Sequence, residues 1–111
     1  MVAMGNTSKE TFERLSESGM NTYERVIQLP LWKEYGEMIK SDIADIKNAG
    51  GRDAGAITAG KFLEHFTDYP WVHFDIAPVA FLEKADSYRG KGGTGTGIRL
   101  IYDYLSHYMS T

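Results

Sequence analysis

The stretch Trp71-Val-His-Phe-Asp-Ile76 constrains this chain more than any other part of it. It follows Pro70, is rich in β-branched and aromatic residues, and is apolar on both faces, the composition of an interior strand flanked by helices. A strand of that kind must satisfy its backbone N–H and C=O groups along both edges. Only Met1 to Met4 and the weakly alternating Ile43 to Lys47 offer extended neighbours. Either these supply a small sheet, or the strand pairs with polypeptide outside the 111 residues.

The rest of the chain reads as helices and loops. Thr7-x-x-Glu10 has the form of a capping box and predicts a helix start, with Phe12, Leu15, Gly19, Tyr23 and Val26 on one side of a helix continuous through Gly19. Pro30 suits the first turn of a second helix, where its missing N–H costs nothing, and Leu31, Tyr35, Met38 and Ile39 form its buried stripe up to Lys40. Ser41 to Gly51 is a loop or short extended piece. A third helix follows from Ala54 to Phe66. Its first half is almost all small residues, which lets a neighbouring backbone come close, and its aromatic half should fill a core. After a polar, glycine-rich connection from Glu83 to Gly97, Ile98, Ile101, Tyr102, Leu105 and Tyr108 recur at the spacing of a closing amphipathic helix.

Length and charge narrow the function classes. At 111 residues the chain is the size of one domain. Its 12 Lys and Arg against 15 Asp and Glu leave a net charge of −3, too little field to hold nucleic acid or an anionic membrane surface. There is no cysteine, which excludes disulfides, thiolate metal sites and cysteine nucleophiles. No apolar run approaches the ~18 residues of a membrane span, and Met1 to Gly5 lacks the basic start of a secretory signal, so the expectation is a cytoplasmic protein.

The candidate chemistry is sparse. Gly90-Lys-Gly-Gly-Thr-Gly95 matches G-x-G-x-x-G and precedes a helix, but no strand leads into it and only 16 residues follow it, so tight turns explain its glycines better than a nucleotide does. His73 and Asp75 share one face of the strand, with His65 and Asp68 nearby, yet no zinc-protease spacing links them and structural pairing is the simpler reading. Arg52 and Asp53 open the small-residue helix, where an acid favours the macrodipole. The alternating charges from Lys33 to Asp45 form a solvated face, and seven Tyr with two Trp suit either a core or an interface.

Five separated blocks carry a family resemblance. They are Tyr23-Glu-Arg-Val-Ile-Gln-Leu-Pro-Leu-Trp-Lys-Glu-Tyr35, Lys40-Ser-Asp-Ile-Ala-Asp-Ile-Lys-Asn48, Ala54-Gly-Ala-Ile-Thr-Ala-Gly-Lys-Phe-Leu63, Trp71-Val-His-Phe-Asp-Ile-Ala77 and Lys91-Gly-Gly-Thr-Gly-Thr-Gly-Ile-Arg99. In this order they resemble the C-terminal part of the leucyl (cytosol) aminopeptidases, over nearly the whole chain. The resemblance implies an α/β fold in which residues 1–111 form the closing portion of a three-layer α/β/α zinc-peptidase-like catalytic domain, a partial domain of mostly helices around one clear strand. It also implies a two-metal aminopeptidase acting on leucine-like N-termini of peptides and assembling as a hexamer. The two divalent ions, Mn or Zn, would be bound by carboxylates and a lysine upstream of these blocks, and the signature Asn-Thr-Asp-Ala-Glu-Gly-Arg-Leu is absent here.

What the resemblance carries onto this chain is the wall of the pocket for the substrate's first side chain. Asp75-Ile-Ala-Pro78 is similar to the family's Asp-Ile-Ala-Gly, and the pocket positions fall on Ala77 and Ala80. Two small residues would leave room for a bulky apolar side chain. Pro78 replaces the usual glycine, fixing φ and removing an amide donor. The expectation is thus a segment of a metallopeptidase without catalytic or metal-binding residues of its own. The alternative is a stand-alone non-catalytic module of the same fold that self-associates or binds a partner through its aromatic surface.

Overall fold

In the computed structural model, which describes residues 1–40, 55–77 and 79–109, Val2–Asn6 forms the first strand, β1. Helix α1 (Lys9–Asn21), the two-residue strand β2 (Ile27–Gln28) and a 3₁₀ segment (Lys33–Ile39) follow. Then come helix α2 (Gly55–Glu64), strand β3 (Trp71–Asp75), the short strands β4 (Phe81–Leu82) and β5 (Gly92–Gly93), and helix α3 (Ile98–Met109). The class is α/β, as the sequence implies. Ile43 to Lys47, Arg52, Asp53 and Pro78, each singled out above, lie outside the described residues.

The strand order β2-β1-β3 puts β1 in the middle. Ile27 donates to the carbonyl of Met1 at 3.1 Å and Leu29 to that of Ala3 at 2.9 Å; both partners advance two residues in the same sense, the progression of a parallel pair. The N-terminal residues therefore do supply a neighbour for β3. Among the described residues β3 has one strand neighbour, β1, and all five of its residues are half-buried, so no partner for its second edge lies among them. Apolar composition reports that a strand's faces are to be covered; it does not report which of its edges is paired.

The chain divides into two compact units, Met1–Val2 with Ser8–Ile27 and Phe74–Thr111, and Ala3–Thr7 with Gln28–His73. In the second unit Ala3, Met4 and Ile57 are buried, and α2 packs against the 3₁₀ segment. What comes close to the small-residue half of α2 at Gly60 is side chain rather than the backbone expected: a methyl group there would collide with Met4 Sδ. Its aromatic half does not fill a core, since Phe62 is half-buried and Phe66 is exposed, the two rings meeting edge to face at 5.3 Å. The helix expected behind Pro30 is a 3₁₀ segment that starts only after Trp32, so Pro30 is not in its first turn.

In the first unit α1 packs along α3. The cap of α1 is Ser8, not Thr7: the Ser8 hydroxyl accepts from the amide of Thr11 at 3.1 Å. The helix runs through Gly19, as expected, but ends at Asn21, so Tyr23 and Val26 are not on it. It ends in a Schellman motif. The amide of Glu24 donates to Gly19 O at 2.9 Å and that of Tyr23 to Met20 O at 3.4 Å, with Tyr23 at φ 57° where glycine is usual. That reversal directs the chain into the buried Glu24.

Helix α3 is the closing helix that the spacing predicts. Its stripe of Ile98, Ile101, Tyr102, Leu105 and Tyr108 is exposed in this chain, with Ile98 at 70% and Tyr102 at 75%, whereas Leu100 is fully buried. Helical periodicity identifies an apolar face but not the surface that covers it.

Candidate functional site

The loop between β3 and β4 carries both pocket positions named from the sequence, and it is built from turns. Asp75, the last residue of β3, accepts the amide of Ala77 on Oδ1 at 3.1 Å, and Val79 donates to the carbonyl of Ile76 at 3.0 Å. Ala77 is exposed and Ala80 is half-buried, so the structure sets them on one short reversal. Asp75 is occupied as a backbone acceptor, which is the structural role expected for it rather than ligation.

The glycine-rich segment grips this loop. β4 and β5 pair antiparallel, Phe81 opposite Gly93 and Leu82 opposite Gly92. Just beyond the pairing, the amide of Thr94 donates to Ala80 O at 2.9 Å and its hydroxyl to Val79 O at 2.7 Å. Thr96 adds a second hydroxyl to Val79 O at 3.1 Å, and its amide lies 3.3 Å from the Thr94 hydroxyl oxygen. Gly97, at φ 99°, turns the segment into α3 in a conformation that a side chain would strain.

At the amino end of α3 the amides are already engaged within the protein. Glu24 is 7% exposed, and its Oε2 accepts from the amides of Gly97 and Leu100, both at 3.0 Å, while its Oε1 lies 3.2 Å from Arg99 Nε. A phosphate at a helix N-terminus needs those amides and the positive end of the dipole. Here the protein's own carboxylate has taken them. Arg99 also donates to the Tyr88 hydroxyl at 2.6 Å and stacks over that ring at 4.9 Å; the Tyr88 hydrogen bond first, then that of Glu24, holds its guanidinium above the ordinary arginine value. A polar cleft of about 340 Å³ on this unit is lined by Arg25, Arg89, Arg99, Thr94 and Thr96 among others, and not by Ala77 or Ala80.

Metal chemistry finds no holder in this geometry. Among the described residues no group of three or more His, Cys, Asp or Glu side chains is arranged to bind an ion. His65 lies edge-on to Phe66 at 5.3 Å. The described residues thus offer no ligand set for a metal pair.

Sequence reading missed Glu24, Thr94 and Thr96. Nothing local marks Glu24, because its partners are 73 to 76 residues away. The threonines stood inside the glycine-rich block, but only the pairing of β4 with β5 shows that they reach Val79 and Ala80.

Comparison with known proteins identifies the family. Residues 1–102 match the model of the cytosol aminopeptidase family, catalytic domain. The chain is 53% identical over 103 residues to a probable cytosol aminopeptidase of Geobacter sp. (strain M21), covering 92% of this chain and 21% of that protein. It superimposes on the crystal structure of the cytosol aminopeptidase from Coxiella burnetii with a TM-score of 0.84 at 32% identity, over 96% of this chain and 23% of that one. The bottromycin maturation enzyme BotP shares the fold, with a TM-score of 0.92 at 24% identity, over 99% of this chain and 25% of its own. The chain therefore spans about a fifth of the length of the curated relatives it matches. With a family match over residues 1–102 and a superposition that takes in nearly every residue, the chain belongs to the cytosol aminopeptidase family and covers part of its catalytic domain.

Proposed function

We propose that residues 1–111 are the C-terminal segment of a metal-dependent aminopeptidase that removes leucine-like residues from the N-termini of peptides. One observation carries this reading: a family match over residues 1–102 of a chain that spans only about a fifth of its relatives. The ligands for two divalent ions, Mn or Zn, belong to the remaining polypeptide; when bound, such a pair polarises the scissile carbonyl and generates the attacking water at neutral pH. This segment contributes Ala77 and Ala80 as the wall against the substrate's first side chain, and it supplies no acid, base or nucleophile. The whole enzyme is read as a cytoplasmic homo-oligomer, a hexamer, acting on peptides rather than on nucleic acid or membranes. No helix among the described residues is long and apolar enough to cross a membrane.

The test is direct. The 111 residues, supplied with Mn²⁺ or Zn²⁺, are expected to leave leucine p-nitroanilide unhydrolysed. Turnover in the enzyme range, about 1–10³ s⁻¹, would show that a complete site lies within the chain.

A second reading, a stand-alone non-catalytic module, draws on the exposed stripe of α3 from Ile98 to Tyr108. Self-association through that stripe would produce a monodisperse, cooperatively melting dimer or larger species; a molten or aggregating chain favours the enzyme segment.

A further inference from the structure

A pocket wall made of loop residues keeps its shape only if something outside the loop fixes its backbone. Around Val79 and Ala80 that support comes from the glycine-rich segment, and Thr94 is its centre. Thr94 makes two bonds to consecutive carbonyls, amide to Ala80 at 2.9 Å and hydroxyl to Val79 at 2.7 Å. Proton counting shows how Thr96 backs it. The Thr94 and Thr96 hydroxyl oxygens lie 2.7 Å apart and both are within reach of Val79 O, so two hydroxyl protons face three contacts. A carbonyl oxygen has two lone pairs, and when both hydroxyls donate to it, the Thr96 amide can serve the Thr94 oxygen instead. The far end of the segment is anchored in turn, where Gly97 and Leu100 donate to Glu24 at 3.0 Å.

We propose that Thr94 is a positioning residue for substrate selection: acting only through the backbone of Val79 and Ala80, it sets how far the Ala80 wall stands from the incoming side chain. The proposal rests on the reading of Ala77 and Ala80 as that wall. Hydrophobic pockets separate side chains that differ by a methylene by only ~10–200-fold, so a small outward drift of the wall consumes much of the available discrimination. A valine at this position keeps the branched shape and the amide bond to Ala80 but removes the hydroxyl donor. A serine keeps the donor.

The experiment uses the metal-loaded Geobacter sp. (strain M21) aminopeptidase with its matching segment replaced by this chain, assayed on leucine and alanine p-nitroanilides. In Thr94→Val the leucine-to-alanine ratio of kcat/KM is expected to fall about 5-fold or more through KM, with kcat on leucine held within about 2-fold, and Thr94→Ser is expected to restore the ratio. An Ala80→Leu variant separates the two layers of the claim. If Ala80→Leu collapses the ratio and Thr94→Val leaves it unchanged, the wall stands and the role of Thr94 is overturned. If Ala80→Leu also leaves the ratio unchanged, the wall reading fails and takes the proposal with it. Should Thr94→Val not fold, Thr96→Val decides: a fall of about 2-fold or more, repaired by Thr96→Ser, supports the hydroxyl clamp, and an unchanged ratio overturns it.

Discussion

Helices α1 and α3 pack side by side in one unit, yet they solve the same end problem in opposite ways. Each begins with amides that have no partner within the helix. In α1 the partner is Ser8, three residues from the amide that it accepts. In α3 it is Glu24, whose carboxylate arrives from 73 and 76 residues away, after the Schellman turn that closes α1. A local cap stabilises one helix. A distant cap also ties that helix to the place where the other ends, so the stability of α3 and the position of the 94–97 segment ahead of it depend on tertiary structure.

The contrast can be broken at either end. Replacing Glu24 with alanine strips two amides and Arg99 of their common acceptor inside the protein, and should destabilise the segment by about 3 kcal/mol, read from urea unfolding of the Geobacter sp. (strain M21) enzyme that carries this chain in place of its own segment. Hydrogen exchange would show the loss concentrated in the first turn of α3. Leu100→Ala removes the fully buried side chain of α3 and should cost ~2–4 kcal/mol, but by opening a cavity, so protection should fall in α1 and α3 alike. Ser8→Ala sharpens the comparison from the local side: about 1 kcal/mol, with exchange faster in the first turn of α1 and unchanged at Gly97 and Leu100. The smallest effect belongs to Lys9→Ala, which breaks an exposed pair with Glu13 at 3.4 Å; a shift below ~0.5 kcal/mol, vanishing in 1 M salt, is expected in the same unfolding assay.

The same division separates what could be read in the sequence from what could not. Signals that act over three or four residues were legible: a helix after Thr7, the β-branched run at Trp71, the small-residue half of α2, and the amphipathic period of α3. Even these left the covering surface undecided, and the α3 stripe turned out to be exposed. The end of α1 was missed because a tyrosine, not glycine, holds the left-handed position of its Schellman turn. Family resemblance points to Ala77 and Ala80 as the proposed wall, since a motif marks positions directly. It could not mark Glu24, Thr94 or Thr96, whose roles exist only once β4 pairs with β5 and α3 docks beside α1. The chain has 12 glycines in 111 residues, more than the average of about 7%, and at Gly97 the left-handed turn joins the segment that clamps the loop to α3.

Fragment complementation tests the central claim most directly. The Geobacter sp. (strain M21) aminopeptidase, shortened by the segment that matches this chain, would be metal-loaded, mixed with the separate 111-residue chain and assayed on leucine p-nitroanilide. Neither piece should hydrolyse the substrate alone, and the mixture should, with activity saturating as the chain is titrated in. A mixture that stays inert while both pieces are folded and bound to one another would contradict the assignment of this chain as the segment that completes the site.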